Sequence, residues 1–186
     1  DLGANSAIPT GMDTDLDGDP RIHAGTVDLG AYEIGIIYNS LGVIQQKGGE
    51  TEEALGHFDK ALGNFQASKG AEHRDVATVL NNVGLTKLAN GDHDDAIKLF
   101  EEALAIRLKT LGKTHPDLGD CHEGIGLCLS AKSEETAAIE AFQKSLAINR
   151  KLGVENKIAL SLNNIGNVYI SWGQYDKAME NFQQAL

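Results

Sequence analysis

Four acids alternate through "DTDLDGDP", residues 13–20. Asp13, Asp15 and Asp17 followed by Gly18 match the front half of a calcium loop, in which carboxylates at every second position converge on one hard cation. The bidentate acid that closes such a loop falls at residue 24, which is Ala24, and Pro9 and Gly11 stand where the entering helix belongs. These departures argue against an EF-hand, and the three aspartates remain a candidate for a looser ion site. "LGKTHP" holds Gly112-Lys113-Thr114, the end of a phosphate loop, but Arg107 occupies the position of the loop's first glycine. Cys121-His122 and Cys128 fall on one predicted helix. Seven residues separate the thiols by about 10 Å, too far for a disulfide, so packing thiols are expected. The six histidines include no pair at ligand spacing on one helix. No serine elbow or dinucleotide loop occurs. The residues offer no catalytic constellation, so no enzyme activity, cofactor or small-molecule substrate is expected.

What remains is recognition by surface, and the elements that would build one are repeated. Gly42, Gly84, Gly126 and Gly166 are spaced by 42, 42 and 40 residues. Twelve residues after each stands Ala54, Ala96, Ala138 or Ala178; sixteen after each, Phe58, Phe100, Phe142 or Phe182. Four of the five phenylalanines share that one phase, which makes the repeat structural rather than accidental. Gly49, Gly91, Ser133 and Gly173 mark a break seven residues after each glycine, and Ala61, Ala103, Ser145 and Ala185 lie nineteen after.

Each unit reads as a helix, a short break and a second helix. In the second unit Val76, Val79, Leu80, Val83 and Leu88 fall near one face. After Asn90-Gly91, a second stripe runs through Ile97, Phe100, Ala103, Leu104 and Leu108. Asp94 and Asp95 sit in the first turn of that second helix, where the dipole favours anions. A glycine inside a helix costs about 1 kcal/mol relative to alanine, so Gly84 implies close helix approach. The phenylalanine is expected to fill the gap to the neighbouring unit. "HPD" at 115–117 aligns with His73-Arg74-Asp75, and its repetition marks it as structural, with Pro116 at a helix start.

These residues resemble tetratricopeptide (TPR) repeats. In 161–186, "SLNNIGNVYISWGQYDKAMENFQQAL", the residues Leu162, Ile165-Gly166, Tyr169, Gly173, Tyr175, Ala178, Phe182 and Ala185 are in the family's register. The 42-residue units and the connector "ALAIRLKTLGKTHPDL" resemble the longer kinesin-light-chain type. The resemblance implies an all-α, right-handed α-solenoid of about four helix pairs over residues 34–186, with units near 34–73, 74–115, 116–155 and 156–186. It also implies that the first helices line a concave groove for protein or peptide partners. In such repeats, asparagines before the glycine hydrogen-bond the backbone of an extended peptide. That role carries over to Asn82 and Asn164, and further to Asn39, Asn81, Asn163 and Asn167. An amide offers both a donor and an acceptor, as a peptide does. The other reading is that these amides bridge neighbouring helices. The third unit departs from the pattern, with Glu123-Gly124 at the asparagine place and Ser133 and Ser145 for Gly and Ala. The groove lacks the Lys and Arg of a carboxylate-clamping relative, which argues against chaperone tails. Lys47 and Lys87, near the ends of first helices, are expected to face solvent.

Residues 1–33 differ in kind. They carry seven acids and one base, Arg21. "DLDGDPR…GTVDLGAYE" is similar to the terminal signature of bacterial right-handed parallel β-helix (choice-of-anchor) proteins, which implies a short irregular or β extension. Ile22, Val27, Leu29 and Tyr32 are then expected to pack on the first repeat helix. An acidic linker is the other reading of this segment. The net charge of −11 disfavours nucleic acid and suits basic partners. No apolar run reaches the roughly 18 residues of a membrane span. The chain starts on Asp and stops within a helical pattern at "ENFQQAL", so it reads as a piece of a longer protein. Three roles stay open: a scaffold binding a peptide or partner domain, a regulatory or sensor segment of a signalling protein, and a structural spacer of a surface β-helix protein. The compartment stays open too, between the bacterial cytoplasm and the cell surface or secretion.

Overall fold

The computed structural model describes residues 22–23, 26–27 and 30–186. Asp13, Asp15, Asp17, Arg21, Leu29 and the side chains of Ile22 and Val27 lie outside the described residues, as does most of the β-helix-like signature. Two short strands, β1 (Ile22–His23) and β2 (Thr26–Val27), pair antiparallel. The rest is helical: α1 (Ala31–Gly48), α2 (Thr51–Lys69), α3 (Arg74–Asn90), α4 (His93–Leu111), α5 (Pro116–Ala131), α6 (Glu135–Leu152), α7 (Glu155–Ser171) and α8 (Tyr175–Ala185). The chain forms two compact units, divided between Val79 and Leu80 within α3. Among the described residues no helix is long and apolar enough to cross a membrane.

In the first unit α1 packs on α2 through two glycine–aromatic contacts. A Cβ on Gly42 would lie 2.6 Å from the Phe58 ring, and one on Gly35 would lie 2.9 Å from the Phe65 ring. Both rings are buried. Tyr32 belongs to α1 itself rather than packing onto it from outside. Its hydroxyl donates to Asp75 Oδ2 at 2.7 Å, and its ring tilts against Phe65 with centroids 5.5 Å apart.

The second unit repeats the device. The Phe100 ring occupies the place of a Gly84 Cβ (2.8 Å), Phe142 that of Gly126 (2.6 Å) and Phe182 that of Gly166 (2.6 Å). The phenylalanine therefore closes its own helix pair first. The gap-filling role expected of it also holds for Phe100, because a Cβ on Gly124 of the next first helix would meet the same ring at 2.6 Å. Ala96, Phe100 and Cys128 form one small core; Ala138, Ile139, Phe142, Leu146, Leu162, Ile165 and Val168 form another.

The breaks between helices use backbone chemistry legible in the sequence. Gly49, Gly91 and Gly173 adopt φ between +72° and +88°, and Ser133 takes the same role at φ +58°. It is the one non-glycine with positive φ among the described residues. His115 caps α5: its Nδ1 accepts from the Asp117 backbone N–H at 3.3 Å, and Pro116 follows at the tolerated first position. His73 repeats this on Asp75 at 3.3 Å. The aligned "HRD" and "HPD" are thus helix-start devices.

The glycines and their one substitute set three expectations for stability. Gly126→Ala drives a methyl into the buried Phe142 ring and is expected to cost about 1–3 kcal/mol despite better helix propensity. Gly63→Ala, in α2 with open space around it, is expected to add about 1 kcal/mol. Ser133→Gly relieves left-handed strain and is expected to add about 1 kcal/mol. Urea unfolding of the three variants, each against the parent, measures all of these.

Candidate functional site

The expected site residues lie on the first helices of each pair. In the second unit these are α3 from Leu80 onward, α5 and α7, and polar side chains join them. Two clusters result.

The first is centred on Arg107, which is almost fully buried. One guanidinium nitrogen, Nη1, donates to Asn81 Oδ1 at 3.2 Å and to the Asp117 carbonyl at 2.9 Å, and lies 3.0 Å from Cys121 Sγ. The Asp117 carboxylate stands 3.9 Å from Nε. The Cys121 thiol also points at Asn81 Oδ1, at 3.9 Å. Burial pushes the Cys121 thiol up, outweighing the nearby guanidinium, so it is a neutral donor. Both cysteines are free and buried on α5, as their spacing predicts. Sequence periodicity placed Leu108 on the inward stripe of α4; the structure places Arg107 there and leaves Leu108 exposed. The reason is phase. Ala96, Phe100, Ala103 and Arg107 follow the inward line in alternating steps of four and three, and Leu108 falls one residue off it.

The second cluster is centred on Glu123. Its carboxylate accepts from Ser161 Oγ at 3.0 Å and from the Asn164 side-chain amide. The Ser161 and Ser145 hydroxyl oxygens lie 3.3 Å apart, and Asn149 Nδ2 donates to the Ser145 oxygen at 3.2 Å. Asp120 and Lys157 pair beside it at 2.5 Å. Burial raises the Glu123 pKa, and the hydrogen bonds from Ser161, Asn164 and Ser145 pull it back only in part.

The expected asparagines therefore separate. Asn81 and Asn164 are half-buried and tied to Arg107 and Glu123 across adjacent first helices. Asn82 is half-buried and has an interaction partner of its own. Asn163 and Asn167 are exposed on α7. Asn39, in the first unit, is half-buried on α1 and also has an interaction partner. Lys47 is exposed, whereas Lys87, expected in solvent, is held to Asp92 at 3.0 Å. Sequence reasoning missed Arg107, Ser145, Asn149 and Ser161. The signal was present in the register: Arg107 and Asn149 stand seven residues after Phe100 and Phe142, where the first unit has Phe65. Among the described residues no group of three His, Cys, Asp or Glu side chains gathers to hold a metal ion.

The tetratricopeptide-repeat family model matches residues 33–109, 75–151 and 122–186, in overlapping windows of which the first two are offset by the 42-residue period. The chain belongs to the tetratricopeptide repeat family. As a TPR protein it shares its fold with solved structures of low sequence identity. BtubC (BKLC) from P. vanneervenii superposes with TM-score 0.78 at 20% identity, over 85% of this chain and 64% of that one. A putative kinesin light chain with nearly identical TPR-like repeats from Podosopora anserina gives 0.66 at 23% identity, over 81% and 72%. A Rap protein complexed with competence and sporulation factor gives 0.73 at 20% identity, over 85% and 43%. The TPR chain thus spans under two thirds of BtubC and under half of the Rap protein. These likenesses establish the α-solenoid class. No curated protein matches the sequence.

The electrostatics of Glu123 give a signed prediction. Its folded pKa is raised, so its stabilising contribution is full below the ordinary carboxylate range and is lost as pH rises through the folded value. Glu123→Gln keeps an acceptor for Ser161 and removes the charge. Its stability relative to the parent is expected to improve from mildly acidic pH to about pH 7, and that difference to vanish near pH ~4, as read by thermal melts across pH.

Proposed function

We propose that this TPR array is a non-catalytic interaction module, and that the first helices of its second unit bind an extended peptide or a partner's segment. One observation carries the reading. Leu85 and Leu127 are exposed at the residue after Gly84 and Gly126, on helices already linked through Asn81, Arg107 and Cys121. Apolar side chains left in water at equivalent positions of neighbouring helices, beside half-buried amides, suit a ligand that alternates apolar side chains with backbone groups. Asn163 and Asn167, exposed one turn apart on α7, extend the set of amides. Asn81, Asn82 and Asn164 would contribute whatever hydrogen-bonding capacity the seam between helices leaves them, and Asn39 is the counterpart in the first unit.

The acidic balance of the chain favours a ligand with lysine or arginine flanking its apolar residues. The Rap protein's complex with competence and sporulation factor supports recognition of a protein or peptide ligand by this fold. It also supports the second reading, a regulatory segment of a longer signalling protein, since that neighbour carries the shared fold over less than half of its own length.

A peptide array probed with the 186-residue chain tests the proposal. Captured sequences are then titrated against an Asn163→Ala, Asn167→Ala double variant and against Leu127→Glu. Two hydrogen bonds of about 1 kcal/mol each predict a loss of roughly 30-fold for the double variant. Leu127→Glu is expected to abolish binding while circular dichroism stays unchanged. Binding indifferent to both variants would place the site elsewhere.

A further inference from the structure

The third repeat breaks the amide ladder with a charge. Glu123 stands three residues before Gly126, where the neighbouring repeats have Asn81 before Gly84 and Asn163 before Gly166. An amide at this place needs only a donor and an acceptor. A carboxylate removed from water also needs a counter-charge, or it stays costly.

Glu123 has the hydrogen bonds and lacks the cation. Ser161 and the Asn164 side-chain amide donate to its two oxygens, and both donors are neutral. Asp120, on the same helix, has the same sign and acts against it. Lys157 of α7 is paired with Asp120 at 2.5 Å. From α6, Ser145 and Asn149 carry no charge, and Lys144 acts on His122 instead. Arg107 of α4 is held by Asn81, Cys121 and the Asp117 carbonyl. Along this part of the seam two carboxylates therefore face one ammonium.

Glu123 is only half-buried, so its charge is within reach of the groove. Leu127, four residues on, is exposed. Positions four apart on a helix are neighbours on one face, so the charge stands one turn from an apolar side chain left in water.

We infer that Glu123 selects the ligand of this groove by accepting the side chain of a lysine or arginine, placed within two residues of the apolar side chain that Leu127 holds. The inference rests on the groove reading above and adds to it the residue that reads charge. Every second residue of an extended chain returns to the same side after about 7 Å. That is close to the roughly 6 Å spanned by four helical residues. The incoming cation supplies the counter-charge that Ser161 and Asn164 do not. It also sets the sign of a pH effect. In the free chain burial raises the Glu123 pKa, and Asp120 adds to the rise. A bound cation lowers it, so binding releases a proton and strengthens as pH rises through the free value.

A display library of random dodecapeptides, selected on the 186-residue chain, is the probe. Enriched sequences are expected to carry Lys or Arg within two residues of Leu, Ile, Val or Phe. Each is synthesised with that cation and with Gln in its place, and both forms are titrated against the parent and Glu123→Gln. At neutral pH the parent is expected to prefer the cationic form by about 10-fold, and the variant to show no preference. A purely structural role for Glu123 would weaken both forms alike and leave their ratio unchanged. The ratio is also read on the parent alone, which requires no variant to fold, and is expected to grow from about pH 4 to about pH 7. Enriched sequences without a cation, a ratio near unity in the parent, or a ratio retained in Glu123→Gln would overturn this inference alone. A selection that enriches no sequence would overturn the groove reading with it.

Discussion

The whole array rests on a ring placed where a side chain is missing. In four successive helix pairs a phenylalanine edge occupies the volume of a glycine Cβ, at 2.6–2.8 Å from where that atom would be. The first helix gives up about 1 kcal/mol of propensity at each glycine. It gains an aromatic side chain removed from water, worth more than that loss. Because the ring sits between two backbones, the pair can close at only one register. The alanine four residues before the phenylalanine and the alanine or serine three after it then fall on the same contact, which is why these types recur in phase.

With the pairs fixed, the seam between consecutive first helices is left to polar groups. A buried guanidinium or carboxylate is costly unless its hydrogen bonds are met. Arg107 meets this with Asn81, the Asp117 carbonyl and Cys121, and Glu123 with Ser161 and Asn164. A stack displaced along the helix axis would strand both charges. The polar seam therefore specifies how one pair follows the next. Seven residues after the phenylalanine, three units place three different side chains: Phe65 on Gly35 and Asn149 against Gly119 and Ser145, both within their own pairs, and Arg107 in its polar cage.

This division of labour bears on function. Residues that the family resemblance assigns to ligand contact also hold the seam, so a ligand reaching Asn81 or Asn164 would touch the groups that set inter-repeat register. Exposed Leu85, Leu127, Asn163 and Asn167 have no such duty among the described contacts. Recognition and architecture are neighbours on the same helices, with the boundary between them set by which way each side chain leaves its helix.

The sequence by itself determined the repeat, its period, the helix pairs, the left-handed breaks and the small-residue contact. All of these follow from local propensity and from spacing, which a single chain displays. It also contained the His caps at 73 and 115, since a repeated His-x-Asp before a helix has a local meaning. Tertiary structure alone decided which partner each polar residue takes. Nothing local marks Arg107 as buried, because its partners are 10 to 26 residues away. Glu123 and Asn164 meet across 41 residues, and no local pattern announces them. The same holds for the asparagine ladder. Spacing could align Asn81 with Asn163, but only the folded contacts show Asn81 bonded to Arg107 and Asn163 exposed.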